Sequence, residues 1–414
     1  MRVLFVHQNF PGQYRHVAPA LAARPGTEVV ALGINPAPAL PGVRHLRYAV
    51  PGRSTAGIHP LAASFETATL RGEAAARAGL ALKAEGFAPD VICGHSGWGE
   101  TLFLKDVWPG ARLLTFAEFF YAATGADSGF DPEFPPAEGD AWRTRARNAG
   151  QLVAFEASDR LVSPTAWQAS RIPAAFRDRL SIIHDGIDTD LLRPDPGARI
   201  TLGRDRLSLG AGDEVVTFVN RNLEPYRGYH SFMRALPEIL RRRPRARAVI
   251  VGGSDTSYGA RPPAGRASHH RTWRDIFLDE VKADLDLSRV HFVGKIPYRD
   301  YVDLLRISAV HVYLTYPFVL SWSMLEAMAL GACVVGSATP PVEEVIRDRR
   351  NGILVDFFSA AAIAEAVVAA LADPGTVAPL RAAARQTALA YDLRRVCLPA
   401  HLRLIDEVAA GRGA

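Results

Sequence analysis

The residue types and spacings that can do chemistry lie where apolar runs end. After the run at 215–220 come Arg221, then Asn222-Leu223-Glu224-Pro225-Tyr226, then Arg227-Gly228 at the start of a helical pattern. Two guanidinium groups six residues apart, one on each side of a short turn, can grip both phosphates of a diphosphate, and Gly228 keeps the helix end open. The competing reading is two surface arginines bracketing a turn. Residues 315–335 pass from a strand through a polar and aromatic turn into a short helix that stops at Gly331. Ser321 or Ser323 can cap that helix, and Glu326 lies about one turn inside it. A carboxylate there can hold the two hydroxyls of a ribose; an ordinary helix glutamate is the alternative. Near the amino terminus, in HQNFPGQYRH (7–16), Gly12 follows Pro11 just before a predicted helix, so its amide can approach an anion at the positive helix end. The loop is not GxGxxG and has no downstream acid placed for an NAD ribose, which argues against a nicotinamide dehydrogenase.

Strands alternating with helices must position these groups. Apolar β-branched runs at 2–6, 28–32, 90–93, 111–116, 160–162 and 181–184 alternate with helical patterns at 13–23, 60–84 and 140–157. Residues 185–199 pack glycine, prolines and aspartates into one stretch and read as a linker, which predicts a domain boundary near 190. The rhythm restarts with runs at 215–220, 246–251, 290–293, 310–314, 332–336 and 352–355, then helices at 360–372, 377–389 and 393–409. The expected fold class is α/β: two Rossmann-like doubly wound domains facing a central cleft, residues 1–190 and 191–390.

At 414 residues, 48% hydrophobic and 22% charged, the chain is long and apolar enough for full-sized cores, which excludes disorder and fibrous structure. No apolar run approaches the ~18 residues of a bilayer span, and the first apolar run breaks at His7, which predicts an unexported, cytoplasmic protein. Cys93, Cys333 and Cys397 share no metal or disulfide spacing and read as buried small hydrophobes. Of 48 basic residues only Lys83, Lys105, Lys282 and Lys295 are lysines, and the net charge of +5 selects no partner. Arg241-Arg242-Arg243-Pro244-Arg245 looks like a nucleic-acid or membrane patch, but it falls where a helix ends and reads as a solvated terminus.

The order of Arg221/Arg227-Gly228, HFVGKIPY (291–298), LEAMALGACVV (325–335) and PVEEVIRDRRNGILV (341–355) resembles the retaining nucleotide-sugar glycosyltransferases of family 4, which have the GT-B fold. HQNFPGQYRHVAP (7–19) and IIHDGID (182–188) are also similar, so the resemblance covers nearly the whole chain. It implies that Arg221 and Arg227 neutralise the donor diphosphate and that Glu326 binds the donor ribose. It further implies that the backbone at Lys295 and Ile296 meets the nucleobase, that the amides around Val319, Leu320 and Ser321 meet the phosphate or donor sugar, and that Gly12 approaches from the other domain. The final helix, within 391–414, is expected to pack back on the first domain through Val396, Leu398, Leu402 and Leu404.

Two departures stand out. The family's usual interval places its first glutamate at 318, where this chain has Phe318. The histidine often found after the fourth strand is absent from LLTFAEFFY (113–121), which carries Ala117-Glu118 instead. Glu118, or His95 in CGHSGWGE (93–100), is the candidate for that polar role; the alternatives are an arginine-paired carboxylate and a structural histidine. The implied reaction moves a sugar from a nucleotide-diphosphate sugar, a co-substrate rather than a cofactor, to a hydroxyl of a glycan, lipid-linked or other acceptor. Retention without a protein nucleophile is the family's outcome. With arginines and helix ends to meet the phosphate charge and no DxD-type pair, no metal is expected, and neither is nucleic acid. A lipid-linked acceptor permits peripheral contact with the inner face of the membrane. The rival readings are a nucleotide-sugar epimerase of the same fold and a non-catalytic nucleotide-sugar-binding protein.

Overall fold

Strands buried on both faces dominate the computed structural model, which describes residues 1–50, 52, 55–203, 207–262 and 272–411. They assemble into two compact α/β units. The first comprises Met1–Gly186 and the chain from Leu393 onward, and the second Ile187–Asp392. The division falls a few residues from the boundary read near 190. Of the segment 391–414, residues 412–414 lie outside the described residues.

The first unit contains β1 (Arg2–Val6), β2 (Glu28–Gly33), β3 (Val43–Arg47), β4 (Val91–His95), β5 (Arg112–Phe116), β6 (Arg160–Ser163) and β7 (Leu180–Ile182). They form a parallel sheet in the order β3-β2-β1-β4-β5-β6-β7. Period-two alternation sends Val3, Phe5, Ala31 and Cys93 to one face and Leu4, Val6, Val30 and Ile92 to the other. The second face packs on Ala75 and Leu82 of the helix Ala63–Ala84. The first face packs on Leu404, Ile405 and Val408 of the terminal helix Leu398–Ala409. Burying each of those three side chains contributes about 2 kcal/mol, which holds the helix on this unit. Leu398 and Leu402 are partly buried there, whereas Val396 stays exposed.

The expected helix at 13–23 is divided into a 3-10 turn, Gly12–Arg15, and a helix, Val17–Ala22. Pro19 lies in the first turn of the latter, where a missing N–H costs nothing. The expected helix at 140–157 is split at Asn148, whose side chain donates to the Tyr121 carbonyl at 2.7 Å.

In the second unit a short antiparallel hairpin, β8 (Arg199–Leu202) and β9 (Leu207–Gly210), occupies the end of the stretch read as a linker and continues past it. The main strands are β10 (Val215–Asn222), β11 (Arg247–Gly253), β12 (Val290–Gly294), β13 (Val310–Tyr313), β14 (Cys333–Ser337) and β15 (Ile353–Val355). They run parallel in the order β12-β11-β10-β13-β14-β15. The order reverses between β1 and β4 in one sheet and between β10 and β13 in the other, and ligand crevices of such sheets open at the strand carboxyl ends beside that reversal. The arginines at 241–245 close the helix Tyr229–Arg242, where Arg241 pairs with Glu238, Arg242 with Glu365, and Arg243 and Arg245 with Glu214. All three cysteines are buried. Among the described residues no single helix is long and apolar enough to cross a membrane.

Candidate functional site

At the carboxyl end of the second sheet, β10 runs into the 3-10 turn Pro225–Arg227 and then, through Gly228, into the helix Tyr229–Arg242. Gly228 has φ +68°, and a Cβ there would collide with Leu314 just after β13. Only glycine lets the two loops approach this closely. Arg227 is buried beneath that contact and donates from Nη1 to Thr315 Oγ1 at 2.8 Å and to the Val319 carbonyl at 3.0 Å. Its guanidinium lies 5.1 Å from the Tyr258 ring centroid and 5.6 Å from that of Phe318. The position without the family's glutamate is thus an aromatic wall, with Phe318 buried against Tyr226 and Tyr258. Arg221, at the end of β10, is exposed and makes no side-chain hydrogen bond or ion pair among the described residues.

Glu224 is a functional candidate that sequence reasoning missed. It is 1% exposed, and its carboxylate accepts from the amides of Ser257 at 3.1 Å, Tyr258 at 3.2 Å and Gly259 at 3.4 Å. Burial pushes its pKa up, against the pull of those amides and of Arg227. The carboxylate ties the loop after β11 to the loop after β10, and Tyr258 comes over Arg227 as a result. The only sequence signal was an acid at a strand end ahead of a proline.

Lys295 follows β12 and crosses the end of β11, where a Cβ on Gly253 would come 2.7 Å from its Cε. Beside it, Asn222 donates to Ser257 Oγ at 2.7 Å while its buried Oδ1 has no partner among the described residues. Ile296 is half-buried against the core, and Leu320 lies within it. Of the amides expected to face phosphate or sugar, that of Ser321 is already taken, since it donates to the Tyr313 hydroxyl at 2.8 Å. The Ser321 hydroxyl caps the helix Trp322–Ala329 by accepting from the Ser323 amide at 3.4 Å. Inside that helix Glu326 is 9% exposed, with Oε1 accepting from the Tyr298 hydroxyl and Oε2 from that of Tyr301. Burial raises its pKa and the two tyrosines oppose the rise. The loops after β10, β12 and β13 therefore bring cations, a hydroxyl-bonded carboxylate and an aromatic wall to one sheet edge.

In the first unit His95 ends β4, 2% exposed. Its Nδ1 accepts from the Gly97 amide at 2.9 Å, its ring stacks on Trp98 at 4.2 Å, and its Nε2 lies 3.6 Å from Glu118 Oε2. The two candidates for one polar role are thus neighbours. His7, which ends the apolar run of β1 and was given no role from sequence, meets His95 edge to face at 5.6 Å. Burial, with the nearby His95, pushes the His7 pKa down to about 3, so it is a neutral imidazole. Gly12 abuts it: a Cβ at residue 12 would come within 2.7 Å of the His7 ring.

Two family descriptions match in tandem: the glycosyl transferase family 4 group over residues 25–192 and the glycosyl transferases group 1 over residues 203–388. The chain is 32% identical to a D-inositol 3-phosphate glycosyltransferase of Nocardia farcinica, over 57% of this chain and 50% of that one. It is 31% identical to a GDP-mannose-dependent alpha-(1-6)-phosphatidylinositol monomannoside mannosyltransferase of Mycolicibacterium smegmatis, over 59% of this chain and 61% of that one. The matched stretches span about half the length of these curated relatives. In fold it is similar to sucrose-phosphate synthase from Thermosynechococcus elongatus, with a TM-score of 0.76 at 20% identity over 99% of this chain and 100% of the other. Anabaena Alr3699/HepE, solved in complex with UDP and glucose, is similar at a TM-score of 0.64 and 15% identity over 98% and 99% of the two chains.

Proposed function

Because the chain belongs to the family 4 glycosyltransferases and is built of two Rossmann-like domains like its GT-B neighbours, we propose that it moves a sugar from a nucleotide-diphosphate sugar to an acceptor hydroxyl, with retention and without a metal ion. The observation that carries this reading is the placement of Arg221 at the end of β10, Arg227 in the turn after it, Lys295 just after β12 and Glu326 in the helix after β13, all at the carboxyl end of the second sheet. The cations suit a diphosphate, and the carboxylate suits the paired hydroxyls of a ribose. In the transfer, the bond from the anomeric carbon to the phosphate oxygen breaks and its electron pair leaves on the diphosphate. The acceptor oxygen bonds to the same carbon from the same face, and its proton passes to the departing phosphate oxygen. Arg227, already oriented by Thr315 and Val319, meets the growing charge without reorganising, which is how fixed dipoles and cations lower such barriers.

The first unit would receive the acceptor, with His95 and Glu118 positioning its hydroxyl. The relatives' names, an inositol phosphate and a phosphatidylinositol mannoside enzyme, support a polyol or glycan acceptor, free or lipid-linked. The reaction would be cytoplasmic, and a lipid-linked acceptor would bring the protein to the inner face of the membrane. The test is nucleoside diphosphate release from a panel of nucleotide sugars, with and without acceptors. Release that is accelerated by an acceptor is expected. Isomerised donor sugar without acceptor, or saturable binding with no release anywhere on the panel, would replace transfer by epimerisation or by binding alone.

A further inference from the structure

We propose that the first unit holds a binding site for an anionic group, phosphate or carboxylate, carried on a polyhydroxylated acceptor. The site is a cavity of about 200 Å³ lined by the helix Ala63–Ala84, the loop after β4 and the helix Ala149–Ala157. The proposal deepens the transfer reading, since it rests on the first unit receiving the acceptor.

The cavity is built by the glycine-rich loop of CGHSGWGE. Gly99 has φ +102°, and a Cβ there would run into the backbone of Ala68, so only glycine lets the loop lie against the helix. Two arginines line the space. Arg71 is half-buried and makes no hydrogen bond or ion pair among the described residues. Arg147 is held in place, with its guanidinium 3.8 Å from the Tyr121 ring centroid and Nη2 donating to the Tyr121 hydroxyl at 2.9 Å. A half-buried cation without a counter-ion is incompletely satisfied, and a forked contact from an anion would complete it.

A second, independent observation points to the same ligand. Gln151 lines the cavity at 6% exposure, and its buried Oε1 has no hydrogen-bond partner among the described residues. Buried acceptors are rarely left so, and this one requires a donor such as a ligand hydroxyl. The acid behind Arg71 is Glu100, wholly buried, with neither carboxylate oxygen bonded to a donor on another residue among the described residues. Burial raises its pKa, against the pull of Arg71 and His95. The loop also joins the cavity to the candidate acceptor residues, since Trp98 stacks on His95 and the Gly97 amide bonds it. An acceptor anchored by its anion would thus have its hydroxyls beside His95.

Calorimetry on the full chain without donor tests this, using glucose 6-phosphate, glucuronate and glucose as probes. Vesicles of phosphatidylcholine with and without phosphatidylinositol separate a headgroup phosphate from a free sugar phosphate. Glucose 6-phosphate, glucuronate or the phosphatidylinositol vesicles should bind at least about ten-fold tighter than their neutral counterparts. Arg71→Gln and Arg147→Gln should each weaken that binding about ten-fold, the size expected for one charged contact. Gln151→Leu should weaken the sugar probes with no change in their ranking. Equal affinity for charged and neutral probes, no binding of any anionic probe, or unchanged affinity in natively melting arginine variants would overturn the proposal. Arginine-dependent binding with no turnover of any nucleotide sugar would sink the transfer reading alone. Turnover indifferent to an acceptor anion would sink this proposal alone.

Discussion

The Tyr301 hydroxyl donates to Glu326 Oε2 at 2.6 Å, and the Tyr298 hydroxyl donates to Oε1 of the same carboxylate at 2.8 Å. A buried carboxylate is tolerable only when bonded, and each oxygen here has one protein donor and lone-pair capacity for another. Both tyrosines belong to the helix Tyr298–Arg306, two residues beyond Lys295-Ile296. The residues expected at ribose and nucleobase are therefore mechanically joined.

Held against the donor ribose as proposed, Glu326 would supply binding nearly equal in ground and transition states, so Glu326→Ala is predicted to raise the donor KM with kcat almost kept. Tyr301→Phe is predicted to raise KM less and to cost about 1–3 kcal/mol of stability, because it leaves a buried carboxylate short of a donor. Steady-state kinetics over a donor series, with a urea melt of each variant, read both effects. A fall in kcat at unchanged KM for Glu326→Ala would move this residue away from the ribose.

Arg221 and Arg227 are predicted to fail differently. Arg221 is exposed, so Arg221→Ala should fold normally and lose about 2–4 kcal/mol in kcat/KM, partly in kcat, if it meets the charge that grows on the diphosphate. Arg227→Ala should lose activity and stability together, because it also breaks the bonds to Thr315 and Val319. Normal turnover of Arg221→Ala at saturating donor would mean that the diphosphate lies elsewhere.

The part of the architecture legible in the sequence is the part buried on both faces. Val3, Leu4, Phe5 and Val6 are all fully buried in β1, and runs of that kind mark interior parallel strands. β3 escaped because Val43-Arg44-His45-Leu46-Arg47 lies at the sheet edge, half-exposed, with exposed arginines at 44 and 47 interrupting the apolar pattern. The hairpin β8-β9 escaped because glycines and prolines before it read as linker. At the site, Arg227 and Glu326 were legible by type and spacing, but their partners were not. Glu224 meets amides 33 to 35 residues away, and the Ser321 amide meets a hydroxyl eight residues back on another element. Such contacts depend on which strands become neighbours, and local pattern carries no record of that.

His95→Ala and Glu118→Gln are predicted to lower turnover while donor affinity stays within about three-fold, less than one charged contact contributes. Both belong to the first unit, where the acceptor is expected. Donor calorimetry beside single-turnover rates checks this, and equal loss of donor binding would assign them to the donor.

The arginines proposed to face the diphosphate would make a divalent ion redundant, so activity should be equal with and without EDTA. Loss of activity in EDTA that Mg²⁺ or Mn²⁺ restores would contradict this.

Where the terminal helix packs within the first unit, two buried histidines make stability depend on pH. His401 Nε2 lies 3.2 Å from the His184 carbonyl, and His184 Nδ1 accepts from the Gly186 amide at 3.0 Å. Burial pushes the His184 pKa down to about 4, with His401 adding to the effect. Burial also pushes His401 down to about 4, partly offset by its bond to the His184 carbonyl. In the unfolded chain both histidines titrate near about 6.5. Between that value and about 4 the unfolded chain binds more protons than the folded one, so stability present above about pH 6.5 is lost as pH falls. Burial of Glu100 acts in the opposite direction, so the comparison must be between variants rather than between pH values alone. His401→Gln keeps an N–H for the His184 carbonyl and cannot take up a proton. The variant should therefore lose less stability than the parent chain between about pH 7 and about pH 5, by on the order of 1 kcal/mol. Urea melts of both proteins across that range decide it, and parallel pH profiles would show that this histidine is not titrating with folding.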